Sequence, residues 1–415
     1  MPPFSHSLSL SKCRICDSTE LVPYLDLEVT PLANSYLRKE QLDKPEFGEE
    51  LKVVFCNNCS HSQLTRVVNP DIMFKHYIYV SSTTATFNRH CDKLAFNALK
   101  FLQPSHKCLV LDIASNDGCL LSKFKQQGCG VIGVDPAQNL AKEANSNGIP
   151  TINAYWNSNV ANKIRKEYGI PSIITGTNVI AHVHDVHHFV SAVKSLLSEE
   201  GIFILECPYL ADFIKRNEFD TIYHEHLSYF GMHAMKYLVE EHQMEIFRYD
   251  YFADIHGGTI RFYIGHKDQK RVSDDVYDAL AKEKEEGFTD IHIYAEFASR
   301  VYQNKRELMK LLYGWKRDGK VIWGYGASAK GNTLMKFFGI THELIDQIID
   351  DNPRKWEYYT PGSHIKITGI KELSNKVDYL LLLAWNFSNE IMKRCRKAGY
   401  TGKFITPVPK PGIIE

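Results

Sequence analysis

The sequence predicts an α/β fold in three parts: a small N-terminal lobe, a central Rossmann-like sheet and a second Rossmann-like domain. Three observations predict it. Two Cys-x-x-Cys pairs, Cys13/Cys16 and Cys56/Cys59, lie in the first sixty residues. From Lys107 to Glu206, apolar runs of strand length alternate with amphipathic helical stretches, the pattern of a doubly wound sheet. A second strand, glycine turn and helix begin at Val321, after a long helical pattern. At 415 residues the chain exceeds what one hydrophobic core usually holds. The expected divisions are 1–85, 86–285 and 286–415.

Composition narrows the function classes. Hydrophobic content of 44% with 24% charge and zero net charge describes a globular chain. No basic run invites nucleic acid or an anionic membrane surface. No apolar run approaches the roughly 20 residues that span a bilayer, and the start has no signal layout, so a cytoplasmic location is expected; the sequence leaves oligomeric state open, with a monomer as the expectation. Ten unevenly spaced cysteines do not form a disulfide framework.

The first two cysteine pairs are separated by 39 residues. Each knuckle turns two thiolates toward one point, and two knuckles complete the tetrahedral S4 shell that Zn²⁺ prefers, with no open position for catalysis. Structural zinc on Cys13, Cys16, Cys56 and Cys59 is therefore expected. Free thiols or a redox pair are the alternatives, and His61 is a competing ligand. Leu51–Phe55 reads as a strand entering the second knuckle. Tyr77 to Thr84, rich in aromatics and hydroxyls, reads as a pocket lid or a helix entry before an amphipathic helix near Phe87.

The central part opens with the strand Lys107–Ile113, the turn Ala114-Ser-Asn116-Asp117-Gly118 and a helix over Cys119–Gln127. Gly130–Pro136 is a second strand ending in Asp135, placed to accept hydrogen bonds from a ribose diol. The turn lacks Gly-x-Gly-x-x-Gly and the P-loop signature, which disfavours a cofactor needing phosphate contacts. S-adenosylmethionine fits Asp112-x-Ala114-x-Asn116-x-Gly118, with Asp112 toward its cationic methionine end. Pro136 and Asn178, at later strand ends, complete the expected cofactor contacts. Strands follow at Ser172–Ile180 and Gly201–Glu206, with two more near Met244–Phe252 and Thr259–Ile264 as an antiparallel edge. The run His182, His184, His187, His188 reads as a loop entering a helix capped by Asp185 rather than as a metal site.

Just past the strand Gly201–Glu206 lies Tyr223-His224-Glu225-His226. Two imidazoles flanking an acid, beside a phenol, read as acid/base equipment, with a polar turn as the alternative. A zinc-protease helix is excluded because position 228 is serine.

These motifs, in this order, together with His256-Gly257-Gly258, Gly324-Tyr-Gly326-Ala-Ser-Ala-Lys330-Gly-Asn332-Thr333 and Trp385-Asn386, resemble the sugar C-methyltransferases of unusual deoxysugar biosynthesis along essentially the whole chain. The resemblance implies a class I methyltransferase sheet and an S-adenosylmethionine donor. It also implies a substrate that is a dTDP- or GDP-linked 4-keto-6-deoxysugar methylated at C-3. His226 is then the base, with a pKa near the operating pH and Glu225 or a neighbour to orient it. Tyr223 and His182 hold the enolate oxygen, and Tyr79 contacts sugar or cofactor. In the third domain Lys330, Asn332, Thr333, Lys355, Trp385 and Asn386 become nucleotide-sugar contacts. His224 matches no motif position and is expected to be structural or solvent-facing. Taken alone, the third domain would suggest an NAD-dependent sugar oxidoreductase, or a non-catalytic nucleotide-sugar-binding module.

Overall fold

The computed structural model describes residues 6–74, 82, 85–102, 108–255 and 257–414. Tyr79 and His256, both singled out from the sequence, lie outside the described residues.

The N-terminal lobe contains β1 (Ser7–Ser9), β2 (Leu21–Pro31), β3 (Gly48–Cys56), β4 (Ser62–Leu64) and β5 (Arg66–Val68). β2, β3 and β4 form an antiparallel meander, and β1 pairs separately with β5.

The central sheet begins with β6 (Leu109–Ile113), β7 (Gly130–Asp135), β8 (Thr151–Asn153), β9 (Ile173–Thr177) and β10 (Ile202–Pro208), all parallel. Their apolar runs are continuous because helices cover both faces; Ile202 to Leu205 are fully buried. Next come β11 (Ser228–Tyr229), β12 (Met244–Phe252) and β13 (Thr259–His266). The strand order is β12-β13-β10-β9-β6-β7-β8, with β13 antiparallel to both neighbours, as the sequence pattern implied. β6 has β7 on one side and β9 on the other, so the strand order reverses there. That is the switch point where ligands bind in open α/β sheets.

β11 leaves the central sheet and pairs with Ser62 and Gln63 at the edge of the N-terminal meander. The segment just after Tyr223–His226 is thus part of the metal lobe's sheet.

A helix over Ile291–Arg317 leads to the third domain. Its buried residues Tyr294, Phe297, Val301, Leu308 and Leu312 recur at helical spacing and form one stripe. Tyr24 of β2 lies 5.1 Å from Tyr294 between ring centroids, and one core cluster runs from Leu25 and Phe55 through Phe297 to Phe338 and Ile348. The N-terminal lobe and the third domain therefore share a core. β14 (Ile322–Tyr325), β15 (Ile348–Ile349), β16 (Ile367–Thr368), β17 (Tyr379–Leu382), β18 (Lys403–Thr406) and β19 (Gly412–Ile414) stand in the order β16-β15-β14-β17-β18-β19. All pairs are parallel except β18 with β19.

Candidate active site

A cavity of about 770 Å³ opens at the carboxyl ends of β6, β7, β8 and β9. Of the expected cofactor residues, Asp112, Ala114, Asn116, Asp135, Pro136 and Asn178 line it. The backbone there is strained: Ala114, Asn116 and Asn178 hold φ of 60°, 53° and 55°. Such left-handed placements cost about 1–2 kcal/mol each and persist where surrounding structure enforces them. Asp135 is part of that enforcement. Its two oxygens accept the Asn116 and Ala137 N–H groups, each at 2.8 Å, which ties the β6 turn to the end of β7. Gly118 does not line the cavity. It starts the helix over Cys119–Gln126 with φ +80°, and a Cβ there would lie 3.0 Å from the Ile149 side chain. The glycine serves the turn, not the ligand.

Asp112 is buried beneath the turn and accepts the Thr175 hydroxyl at 2.6 Å. Burial, with Asp135 adding to it, pushes its carboxyl up to about 7. A cationic ligand in the cavity would draw it back to the ionised form.

The Tyr223–His226 segment is a turn closed by the His226 N–H on the Tyr223 carbonyl at 2.8 Å, which puts both side chains on one side. His226 Nδ1 lies 2.8 Å from the Thr221 carbonyl, an acceptor only, so Nδ1 carries the proton. Nε2 is then bare, and it accepts the Tyr223 hydroxyl at 2.9 Å. His182 packs edge-on to this ring, with centroids 4.9 Å apart. All three side chains line the cavity. Burial, then the neighbouring His182 and Lys330, hold His226 well below the usual imidazole range, and burial holds His182 down to about 4. This corrects the expectation of a pKa near the operating pH. Burial in the cavity wall, His182 and Lys330 all favour the neutral form of the base.

Glu225 does not orient His226. Its Oε1 accepts Asn34 Nδ2 at 2.6 Å, tying the motif to the N-terminal lobe, and it is not among the cavity-lining residues. The Thr221 carbonyl does the orienting. His224 is buried and donates from Nε2 to the Glu49 carbonyl at 3.1 Å, so it is structural and not solvent-facing.

In the third domain, Lys330 and Asn386 reach the cavity. Asn332, Thr333, Lys355 and Trp385 do not line it. Asn332 donates to the Ala33 carbonyl at 2.7 Å and Thr333 is fully buried, because residues 33–36 cover the helix Ala329–Phe338 at its amino end. Tyr36 and Lys355 both donate to the Ala327 carbonyl in the same turn. Trp385 Nε1 donates to Asp220 at 2.6 Å. Protein groups thus hold the Ala327 carbonyl and the Asn332 side chain, while Ser328, Ala329 and Lys330 at the start of the helix stay partly exposed and Lys330 faces the cavity.

The four N-terminal cysteines lie with all sulfurs within 4.8 Å of one another; Cys13–Cys59 and Cys16–Cys56 are each 3.5 Å apart. Zinc–sulfur bonds of about 2.3 Å in a tetrahedron place sulfurs about 3.8 Å apart, so the thiol set fits the ion. Arg14, between two of these ligands, is buried without an ion pair to a carboxylate among the described residues, and its Nε and Nη2 lack hydrogen-bond partners. A zinc tetrathiolate is a dianion and would offset that charge. His61 instead bonds Ser228 at 3.2 Å and belongs to no ligand cluster. In the histidine run, His187 bonds His242 and the Ile15 carbonyl, and Asp185 caps the helix as expected. Among the described residues the four thiols form the one His/Cys/Asp/Glu group able to hold a metal.

Sequence reasoning missed Thr221, whose contribution is a backbone carbonyl, and Arg14, Asn34, Glu218 and Asp220. Glu218 and Asp220 precede the motif by a few residues, so an acidic pair there was the available signal.

Comparison with known proteins matches residues 13–74 to a family described as "Putative zinc binding domain", residues 84–248 to "Methyltransferase domain" and residues 254–409 to "C-methyltransferase C-terminal domain". The C-methyltransferase NovU of Streptomyces niveus is 35% identical over 411 residues, 98% of this chain and 97% of that one. A ubiquinone biosynthesis O-methyltransferase of Bartonella quintana (strain Toulouse) is 26% identical over 139 residues, 33% of this chain and 56% of the relative. Among solved structures, magnesium protoporphyrin IX methyltransferase (ChlM) from Synechocystis PCC 6803 with bound SAM matches 43% of this chain and 79% of its own, at 12% identity and a TM-score of 0.34.

Proposed function

The chain belongs to the C-methyltransferase family, and from that premise we propose that it transfers a methyl group from S-adenosylmethionine to C-3 of a nucleotide-linked 4-keto-6-deoxysugar through an enolate. The observation that carries this reading is His226 Nε2, a bare basic nitrogen in the same cavity as Asp112 and Asp135. A sugar carbon is too weak an acid to lose a proton unless a ketone stands beside it. His226 Nε2 takes the C-3 proton as Tyr223 turns its hydroxyl from that nitrogen to the developing C-4 oxygen. His182 adds a second donor on the same side. Preorganised donors in a dry cavity stabilise such charge better than water does.

On the cofactor side, Asp112 takes the cationic methionine end and Asp135 the ribose hydroxyls. When bound, S-adenosylmethionine supplies an electrophilic methyl on sulfonium. The residues at the ends of β6 and β9 place it against the carbon that His226 deprotonates.

A pH dependence follows from Asp112. Its carboxyl is raised to about 7, and the cationic donor requires the ionised form. Donor affinity is therefore expected to rise as pH increases toward 7 and to level off above it. Well below 7 it should lose close to tenfold per unit, about 1.4 kcal/mol. Calorimetric titration across this range checks it, and Asp112→Asn should bind weakly with a flat profile.

The test of the function is incubation of purified protein with methyl-labelled donor and dTDP- or GDP-linked 4-keto-6-deoxysugars, with the product read by mass spectrometry and NMR. A new methyl on C-3 is expected. Label on oxygen, or nicotinamide reduction without methyl transfer, would overturn the reading.

A further inference from the structure

Lys330 stands on the first turn of a third-domain helix, yet it faces the central domain's cavity beside Tyr223 and His226. Its side chain is 19% exposed. The ammonium is 3.2 Å from Glu218 Oε2 and 5.3 Å from the centroid of the Trp385 ring. Trp385 in turn donates to Asp220, whose side chain is fully buried. Glu218 Oε1 and Asp220 Oδ1 have no partner among the described residues. One cation is thus backed by two buried carboxyl groups and an indole face.

That arrangement suits a diphosphate poorly. Lys330 is the one lysine or arginine among the described residues lining the cavity, and one monocation matches a single negative charge better than the several charges of a diphosphate. A cation beside the base also carries a cost. The charge of Lys330 helps to hold His226 in its neutral form, which opposes the protonation that catalysis requires. The placement repays that cost where a single negative charge appears in the same step, as on an enolate oxygen.

We propose that Lys330 is a catalytic residue whose ammonium, poised by Glu218 and Asp220, stabilises the C-4 enolate oxygen of the ketosugar. This rests on the enolate chemistry proposed above. The C-3–H bond breaks and its proton goes to His226 Nε2. The C–H electron pair forms the C-3–C-4 double bond while the carbonyl π pair moves onto oxygen, facing Lys330. The pair then returns through C-3 to the sulfonium methyl, and the former S–CH₃ pair stays on sulfur. Glu218 and Asp220 are positioning residues.

The experiment compares wild type, Lys330→Met and Lys330→Arg. It uses deuterium uptake from solvent at C-3 of the ketosugar that wild type methylates, methyl-transfer kcat and KM, and calorimetric affinity for dTDP and GDP. In Lys330→Met, exchange and kcat are expected to fall together by about 10²- to 10³-fold, with affinity for the free nucleoside diphosphate within about threefold of wild type. Lys330→Arg should recover at least part of the rate. If the methionine variant melts early because Glu218 is left unpaired, the double variant Lys330→Met/Glu218→Gln carries the same expectation. Unchanged exchange, or lost diphosphate affinity with kcat retained, overturns the role of Lys330 while leaving the methyltransferase reading in place. A wild-type protein that neither exchanges nor methylates at C-3 overturns both.

Discussion

His226→Asn is expected to abolish deuterium uptake at C-3 and to lower methyl transfer by about 10²- to 10⁴-fold, the usual weight of a positioned general base. Donor affinity should be nearly unchanged, because Asp112 and Asp135 stand on other strands. Tyr223→Phe should cost less. It removes the hydroxyl that moves to the enolate oxygen but leaves the bare Nε2, so exchange persists at a reduced rate. The double variant should be little worse than His226→Asn alone, since the two side chains act as one hydrogen-bonded unit. The wild-type acid limb adds a further check. His226 is held well below the imidazole range by burial, so a rate that fell with an apparent pKa near 6.5 would mean that another group limits the reaction. Wild-type exchange rates in His226→Asn would remove His226 as the base.

The parts of this site legible in the sequence are those that local pattern fixes. The apolar runs ending at Asp112 and Asp135 declare two neighbouring strand ends, and the strained turn between Ala114 and Gly118 reads from its small residues. The Cys-x-x-Cys pairs declare a metal cluster because each knuckle is local. What failed did so for long-range reasons. Asn332 and Thr333 sit at a helix amino end that looks the same in sequence whether open or covered, and the covering residue Ala33 is 299 positions away. Glu225 adjoins His226 in sequence but points elsewhere, since the closed turn pairs residue 223 with 226 and sends the side chain between them toward Asn34. The ring was instead oriented by the carbonyl of Thr221, a contribution with no residue-type signature. The direction of the histidine's pKa was missed for a related reason: burial, His182 and, from the third domain, Lys330 all favour the neutral ring.

Removing the metal is expected to slow methyl transfer by more than it weakens donor binding. The reason lies in the residues between the thiols. Arg14 Nη1 donates to the carbonyls of Leu64 and Leu227, at 2.9 and 2.8 Å, so the knuckle of Cys13 and Cys16 holds the residue that follows His226. The Ile15 carbonyl accepts His187 Nε2 at 2.7 Å, and Ser228–Tyr229 forms a strand on Ser62 and Gln63, a few residues past Cys59. The catalytic turn is therefore anchored on the metal lobe, whereas Asp112 and Asp135 are anchored in the central sheet. Without zinc, four thiols lose their common ligand and Arg14 loses its counter-charge. Structural zinc is worth about 10–16 kcal/mol in isolated zinc-finger peptides, enough to decide whether such a lobe stays ordered. Chelation, or Cys16→Ser, should lower the melting temperature and reduce both kcat and C-3 exchange by at least about tenfold, roughly 1.4 kcal/mol of misplacement. Donor affinity should stay within about threefold, 0.7 kcal/mol. Arg14→Met in the zinc-loaded protein isolates the latch: exchange should fall with the metal retained by elemental analysis. Chelated protein that turned over at the wild-type rate would show that the lobe does not position the turn. Equal losses of donor affinity and turnover would instead assign the metal a global structural role.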